Sequence, residues 1–269
     1  MNDLLTVDHL SITHRGETLV DDVSFAIPPG GRMGLIGESG SGKSLSALAI
    51  TGLLPPAMTS TGSVVLAGRQ VVGTPDRKLD RMRGNDVAVV FQEPLTALDP
   101  LMRVRDQIAL PLKRRLRREG AAMDRGSIDA EILALLEQVR LPHPDELMHA
   151  YPHQMSGGQR QRIAIAMAAA CRPRLLIADE PTTALDVTTQ AEVLGLLDSL
   201  VRDLGMALLF ISHDLPVVAS IVDEVTVLRL GKIVEQGSVR SVFSSPGHDY
   251  TQSLLQAAKT FDDHLGDRA

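Results

Sequence analysis

Aromatic residues, cysteine and long apolar runs are all scarce in this sequence. With no tryptophan, two tyrosines and five phenylalanines, the core is predicted to be aliphatic. The single cysteine, Cys171, excludes an intramolecular disulfide and fits a reducing compartment. The longest strictly apolar run, Ile163 to Cys171, spans nine residues, whereas a membrane-crossing helix needs about 20. The sequence therefore predicts a soluble protein that would reach a membrane only through a partner.

Positive charge is also limited. The formal net charge is −6 at pH 7, which argues against a general nucleic-acid binder, so we expect no nucleic-acid partner. The first residues, "MNDLLTVDHL", carry acids where a secretory signal would carry Lys or Arg, so no signal peptide is predicted. Hydrophobic residues make up 44% of 269 residues, enough for a sizeable folded core.

The hydrophobic pattern alternates between strands and helices. Strand patterns dominate the first 75 residues, and "VTVLRLGKIVEQG" and "GSVVLAGRQVV" read as hairpins, the latter turning at Ala67-Gly68. The middle, from about Asp99 to Leu141, is helical, with Ser127 as a predicted N-cap. After Tyr151, buried strands again alternate with helices. This order predicts an α/β fold with a mostly parallel core sheet and a helical insertion.

A glycine-rich loop precedes the first predicted helix. The stretch "GESGSGKS" fits G-x-x-x-x-G-K-[ST], with a strand before it and a helix after it. Backbone N–H groups of such a loop point at one anion, and the positive end of the helix adds to the attraction. The alternative is a plain Gly/Ser-rich turn. We predict that a nucleotide is bound over residues 37–45, by Gly37, Glu38, Ser39, Gly40, Ser41, Gly42, Lys43 and Ser44, with Leu45 directly behind them.

Two acidic residues follow a second buried strand. In "LLIADE", Asp179 stands where a Mg²⁺-binding aspartate belongs, and Lys43 and Ser44 are predicted to reach the β/γ-phosphates and the Mg²⁺. Glu180 comes next, and strand alternation would point it to the opposite side, where it could activate a water molecule. Without the glycine loop, a solvated acidic pair would be the preferred interpretation. The predicted ligands are therefore ATP and Mg²⁺.

Further short motifs stand in the order expected of an ABC-type ATPase. "VVFQEP" places Gln92 as in the Q-loop, "MSGGQ" resembles the ABC signature, "TALD" resembles the D-loop, and "FISHD" places His213 as the switch histidine. The resemblance implies an ABC-type P-loop nucleotide-binding domain with an N-terminal antiparallel β subdomain and an inserted helical subdomain. It implies one domain, 1–269, with the core in 1–95 and 160–240, the helical insertion in 96–159 and a short tail in 241–269.

The resemblance also implies a mechanism. Two ABC chains would pack head to tail, with two ATP molecules between them, and Ser156, Gly157 and Gly158 would contact the partner's nucleotide. The predicted catalytic residues are the general base Glu180, the γ-phosphate contact His213, the Mg²⁺ and water sensor Gln92, and Lys43. Adenine stacking would fall to His14, or to Arg15 through a cation–π contact.

Longer stretches resemble the ATPase subunits of peptide and nickel importers. They are "GESGSGKSLSALAITGLLP", "FQEPLTALDP", "YPHQMSGGQRQRIAIAMA", "ADEPTTALDVTTQAEVLGLL" and "SPGHDYTQSLLQA". The expected partners are transmembrane permease subunits, docking near residues 93–105, a second ATPase chain, identical or paralogous, and indirectly a substrate-binding protein. The expected location is the cytoplasmic face of the inner membrane, with peptide, nickel or a metal chelate as cargo.

Three alternatives remain open on the sequence. One is a non-transport ABC ATPase in a soluble enzyme complex, for example one for phosphonate breakdown; a P-loop kinase is disfavoured because the signature would have no purpose there. The second is a metal site on His143, His149 and His153, although the prolines between them break helical spacing. The third is a lipid-facing role for the basic run "LKRRLRREG", which more simply reads as a solvated helix face.

Overall fold

The structure is a computed structural model that describes residues 3–92, 97–121, 123–183 and 185–266, with side chains through Ala258. Residues 93–96, which follow Gln92 in the predicted Q-loop and open the predicted permease contact, lie outside the described residues, as does Ala184 of the predicted D-loop. The chain forms two compact units. One comprises the residues up to Asp80 and from Ala207 onward, and the other comprises Arg81–Met206.

Strands and helices are numbered here in chain order within the described residues. The strands are β1 Leu5–His14, β2 Glu17–Ile27, β3 Arg32–Ile36, β4 Met58–Leu66, β5 Arg69–Gln70, β6 Val87–Val90, β7 Leu175–Asp179, β8 Ala207–Ser212, β9 Glu224–Arg229 and β10 Lys232–Ser238. The α-helices are α1 Lys43–Thr51, α2 Asp76–Leu79, α3 Val104–Glu119, α4 Arg125–Gln138, α5 Pro144–Leu147, α6 Gly157–Ala170, α7 Val187–Asp203, α8 Leu215–Ile221, α9 Val239–Ser244 and α10 Asp249–Gly266.

The first unit holds an antiparallel sheet in the order β2-β1-β4-β5. The predicted hairpin at Ala67-Gly68 is confirmed, because Leu66 pairs with Arg69 and both turn residues have positive φ, 50° and 77°. In the same unit β3 pairs in parallel with β8 and with β9, and β10 pairs antiparallel with β9. The apolar residues of β3 and β8 are buried, which fits strands covered on both faces.

The second unit combines a parallel strand pair with packed helices. Strand β6 pairs with β7, and α3 packs against α4 and α6. In the basic run, Leu112 and Leu116 are buried, while Lys113 and Arg117 are exposed. The buried side of this helix also holds Arg115, whose Nη2 donates to Glu131 Oε2 at 2.6 Å, and the other side is the solvated face that the sequence predicts.

The predicted N-cap Ser127 is wrong by three residues. Helix α4 is capped by Asp124, whose Oδ1 accepts a hydrogen bond from the Ser127 N–H at 3.0 Å. The Ser127 hydroxyl donates to the other oxygen of the same carboxylate at 2.6 Å. Hydrogen bonds from the Ser127 hydroxyl and N–H lower the pKa of Asp124 below its usual value. A carboxylate is the stronger acceptor for a helix N-terminus, so Asp124 takes the cap.

Cys171 ends helix α6 in the core of the second unit. It is 3% exposed, and its Sγ donates to the Pro111 carbonyl at 3.2 Å. Burial raises the pKa of the Cys171 thiol above its usual value, although Arg118 and neighbouring arginines act to lower it. A buried, protonated thiol is unreactive, which agrees with a packing role.

The predicted α/β class is confirmed: the chain has an N-terminal antiparallel sheet, mixed parallel and antiparallel core strands, and helices. In the part of the chain that the structure describes, no helix combines the length and apolarity needed to cross a membrane. The division of 1–269 into core, helical insertion and tail at 95, 160 and 240 stays a prediction.

Candidate functional site

The predicted phosphate loop connects β3 directly to α1. Gly37, Gly40 and Gly42 all have positive φ, 150°, 80° and 101°. A Cβ at Gly37 would lie 2.2 Å from the Leu228 carbonyl oxygen, and one at Gly42 would lie 2.9 Å from Cγ2 of Val20. These two positions require glycine for space as well as for φ, because the loop backbone packs closely against Val20 on β2 and Leu228 on β9.

Lys43 is held over the start of this loop. Its Nζ donates to the carbonyl oxygens of Gly37 at 2.7 Å and Glu38 at 2.8 Å, and the residue is only 5% exposed. Next to it, the Ser41 Oγ is buried and, within the described part of the chain, has no hydrogen-bond partner. A buried ammonium and a hydroxyl with an unused donor are groups that an anion would satisfy, so this loop fits a phosphate.

His213 lies at the same sheet edge as the loop. Strands β3 and β8 are parallel, and their last residues, Ile36 and Ser212, are paired. Gly37 and His213 each follow directly, so both stand at the carboxyl ends of adjacent strands, where α/β sheets bind ligands. His213 is exposed, and the next residue, Asp214, caps α8 by accepting from the Val217 N–H at 3.2 Å.

The acidic pair lies at the end of β7 in the second unit, where Asp179 is the last strand residue and Glu180 follows it. All five residues of β7 are buried, and the last is Asp179, at 9% exposure. Gln92 and Glu180 each follow the paired ends of β6 and β7, Val90 and Ala178, by two residues. These parallel strands therefore bring the two predicted residues to one edge of the unit, where Gln92 is exposed and Glu180 half-buried.

Glu180 itself has an unusual backbone conformation. The strand ends at Asp179, so Glu180 lies just beyond it, and its orientation opposite to Asp179 stays a prediction. Its φ is +47° although it precedes Pro181, a position that ordinarily favours an extended conformation. The Thr183 hydroxyl donates to its Oε2 at 3.0 Å. The position of the Glu180 carboxylate is thus set by the left-handed backbone of Glu180 itself and by the hydrogen bond from Thr183.

The signature residues open helix α6. The Ser156 Oγ accepts from the Gln159 N–H at 3.2 Å, and the Gln159 side chain accepts from the Ser156 N–H at 2.9 Å. This reciprocal pair is a capping box, a structural role that the analysis of the sequence missed, although S-x-x-Q is its known signal.

The two glycines of the signature differ in the space around them. A Cβ at Gly158 would lie 2.6 Å from Cγ2 of Thr189, so close packing requires that glycine. Among the described residues, a Cβ at Gly157 would meet only Leu185 Cδ2, at 3.9 Å, an ordinary contact. Gly157 is exposed, so the surface beside it has room for a ligand at a helix N-terminus.

Other predicted residues have simpler surroundings. His14 ends β1 and is half-buried, with its Nδ1 buried and unpartnered among the described residues, while Arg15 is exposed with φ +51°; their adenine contact stays a prediction. His153 stacks on Tyr151, with ring centroids 5.7 Å apart. Within the described ranges, no group of three His, Cys, Asp or Glu residues could hold a metal ion.

Tyr250 is a residue that the analysis of the sequence did not connect to the loop. Its hydroxyl accepts a hydrogen bond from the Glu38 N–H at 2.9 Å, across 212 positions of sequence. The quoted stretch "SPGHDYTQSLLQA" contains Tyr250, but no local pattern says which distant residue it meets.

A loop of this sequence and geometry, between a parallel strand and a helix, is characteristic of P-loop nucleotide-binding proteins. The family model described as "ABC transporter" matches residues 20–183. The chain belongs to the ABC transporter family, as its motifs predict. Membership makes it an ATP-binding, ATP-hydrolysing transport ATPase.

Three known proteins illustrate the similarity. The peptidoglycan transport ATP-binding protein YejF of Agrobacterium fabrum is 47% identical over 94% of this chain, which spans 47% of that protein. The oligopeptide transport ATP-binding protein OppD of Salmonella typhimurium is 43% identical over 97% of this chain and 78% of its own length. The dimeric post-hydrolysis structure of the ATP-binding cassette MJ0796, bound to ADP and Pi, has a TM-score of 0.77 at 28% identity, covering 88% of this chain and 99% of its own.

Proposed function

We propose that the chain is the ATP-hydrolysing subunit of an importer for peptides or peptide-like solutes. The observation that carries this proposal is the identity of 43–47% over nearly the whole chain to subunits named for oligopeptide and peptidoglycan transport. ATP binding would bring two ATPase chains together and turn a permease outward. Hydrolysis would separate the two chains again. The nickel and metal-chelate cargoes that the resemblance also allows have no support among these relatives.

The phosphate loop would bind the ATP phosphates. Lys43, already donating two hydrogen bonds at the start of the loop, would exchange loop carbonyls for β- and γ-phosphate oxygens. The Ser41 hydroxyl and the loop amides other than that of Glu38 would donate to further phosphate oxygens. His213, at the same sheet edge as Gly37, would contact the γ-phosphate, and His14 or Arg15 would stack on adenine.

Mg²⁺ would bind with the nucleotide, and the Ser44 hydroxyl and the Asp179 carboxylate are each, taken separately, a candidate ligand. Both are hard oxygen donors of the kind that Mg²⁺ binds; Ser44 is exposed on the first turn of α1, and Asp179 ends a buried strand. The bound ion would supply neutralisation of phosphate charge. Glu180 would take a proton from the attacking water, and Gln92, beside it at the ends of β6 and β7, would orient that water.

A second ABC chain would complete the site. Ser156, Gly157 and Gly158 lie at the N-terminus of a 14-residue helix, where the helix dipole favours an anion. The γ-phosphate of ATP bound to the opposite chain would lie beside Gly157, which is exposed. The structure of a dimeric cassette bound to ADP and Pi, at TM-score 0.77, supports the proposed dimer.

A permease and, indirectly, a substrate-binding protein are the other proposed partners, at the cytoplasmic face of the membrane. The test is purification of this chain from native membranes in mild detergent, with identification of the co-purifying proteins. We expect multi-span permease subunits, with or without a second ATPase chain. Co-purification with soluble enzymes alone would favour the phosphonate-type alternative and overturn the import proposal.

The signature face gives a sharper prediction for Gly157→Asp. The substitution is compatible with the fold, because its Cβ has space and an acid suits a helix N-terminus, but it places negative charge where the partner's phosphate would lie. In a Glu180→Gln background with saturating Mg-ATP, we expect the 29.0 kDa chain to sediment as a dimer. With Gly157→Asp added, we expect a monomer that still binds ATP.

The matched control for this experiment is Gly195→Asp. Gly195 is an exposed glycine in α7 with open space around its Cβ, so the same charge there should leave the dimer intact. A dimer that survives Gly157→Asp would remove the signature from the proposed interface.

A further inference from the structure

Tyr250, near the carboxyl end of the first unit, contacts the phosphate loop. Tyr250 is 6% exposed, and its hydroxyl accepts from the Glu38 N–H at 2.9 Å. The carbonyl of the same Glu38 accepts from Lys43 at 2.8 Å. The two ends of one residue are therefore held by Tyr250 on one side and by the loop lysine on the other.

The position of Tyr250 is itself fixed from several directions. Its N–H donates to His248 Nδ1 at 3.0 Å, and the N–H groups of Gly247 and His248 donate to the Glu235 carboxylate on β10 at 2.7 and 3.2 Å. The Arg229 guanidinium lies over the Tyr250 ring, 4.9 Å from its centroid. The Tyr250 hydroxyl is therefore held beside the loop by a support made of Arg229, Glu235 and His248.

The same support contacts the loop a second time. Arg229 ends β9, and the neighbouring Leu228 carbonyl is the atom that a Cβ at Gly37 would strike at 2.2 Å. The Gly231 N–H, in the turn that follows β9, donates to the Ser41 carbonyl at 3.1 Å. The loop is thus hydrogen-bonded at residues 38 and 41 by Tyr250 and the β9–β10 turn, and the end of β9 packs closely against residue 37.

We propose that Tyr250 is a positioning residue for ATP binding, which fixes the Glu38 peptide and through it the lysine of the phosphate loop. The inference rests on the proposed ATP site. A loop rich in glycine has many accessible conformations, so a hydrogen bond that removes some of them lowers the entropic cost of binding phosphate. Burial raises the pKa of Tyr250 above its usual value, so it is the neutral hydroxyl that accepts from Glu38.

The test is Tyr250→Phe, which keeps the ring, its packing and the contact with Arg229 and removes only the hydroxyl. Loss of one neutral hydrogen bond predicts a rise of about 2- to 10-fold in the Kd and KM for ATP. The kcat at saturating ATP should change by less than about 2-fold, because the loop, once filled, is held by phosphate. Hydrogen exchange at the Glu38 amide should become at least about 5-fold faster in the variant.

Two controls separate the possible failures. Tyr151→Phe, at the only other tyrosine, should leave the KM for ATP unchanged. Lys43→Met should lose ATP affinity whatever Tyr250 does; if it does not, the proposed ATP site itself fails. If Lys43→Met loses affinity while Tyr250→Phe binds ATP as the parent does, Tyr250 serves only to pack the carboxyl-terminal helix. Tighter ATP binding by Tyr250→Phe would also overturn the proposal.

Discussion

Glu180→Gln is expected to abolish steady-state ATP turnover while leaving ATP binding intact. The amide keeps the size of the side chain and can still accept from Thr183, which donates to Oε2 at 3.0 Å, but it cannot take a proton from water. Loss of a general base costs about 10²- to 10⁴-fold. We therefore expect kcat to fall at least ~100-fold and the Kd for ATP to change by less than about 3-fold, since the proposed phosphate-binding loop is untouched.

The measurement is phosphate release at saturating Mg-ATP, beside equilibrium binding of ATP. Glu137→Gln is the matched control, because Glu137 is an exposed glutamate on α4, and it should turn over ATP as the parent does. Asp179→Asn should differ from both by losing Mg²⁺-dependent affinity. Turnover by Glu180→Gln near the parent rate would remove Glu180 as the base.

Lys43→Met is the second large effect. Methionine keeps the apolar stem in its buried position, at 5% exposure, and removes the ammonium that now bridges two loop carbonyls. A charge-assisted contact to phosphate is worth about 1.5–3 kcal/mol, so ATP affinity should fall roughly 10- to 150-fold. Because the same ammonium would, in the proposed site, stabilise charge on the transferred phosphate, kcat at saturating ATP should also fall by about 10²-fold.

Binding is measured by titration with ATP and turnover by phosphate release, each beside a thermal melt. Lys113→Met, at an exposed lysine of α3, removes the same charge elsewhere and should change neither quantity. Parent-like ATP affinity in folded Lys43→Met would show that this loop does not bind the nucleotide phosphates.

The local parts of the site could be predicted because each depends on a few neighbouring residues. The glycines of the phosphate loop predict positive φ and close packing. In the structure, Gly37 and Gly42 have a positive φ and lie close to neighbouring atoms. Buried strands that end at Asp179 and Ser212 follow from continuous apolar runs. The order of strands and helices then fixes the α/β class.

The remaining features depend on competition between interactions at one position, or on contacts between residues far apart in the sequence. Asp124 takes the cap predicted for Ser127 because a carboxylate competes better for the same N–H groups. Glu180 adopts a left-handed φ against the preference imposed by Pro181, so tertiary contacts override the local rule there. Tyr250 meets Glu38 across 212 residues, and periodicity within a segment carries no information about such a pair.

ATP-driven uptake by a reconstituted transporter tests the central proposal most directly. The chain would be incorporated into proteoliposomes with the permease subunits that co-purify with it, and uptake of a labelled tripeptide through the matching binding protein would be followed with ATP on the chain's side. We expect uptake that requires ATP and vanishes with Glu180→Gln at equal incorporation. Peptide movement that is the same with Glu180→Gln, or that runs in the opposite direction, would contradict the import proposal.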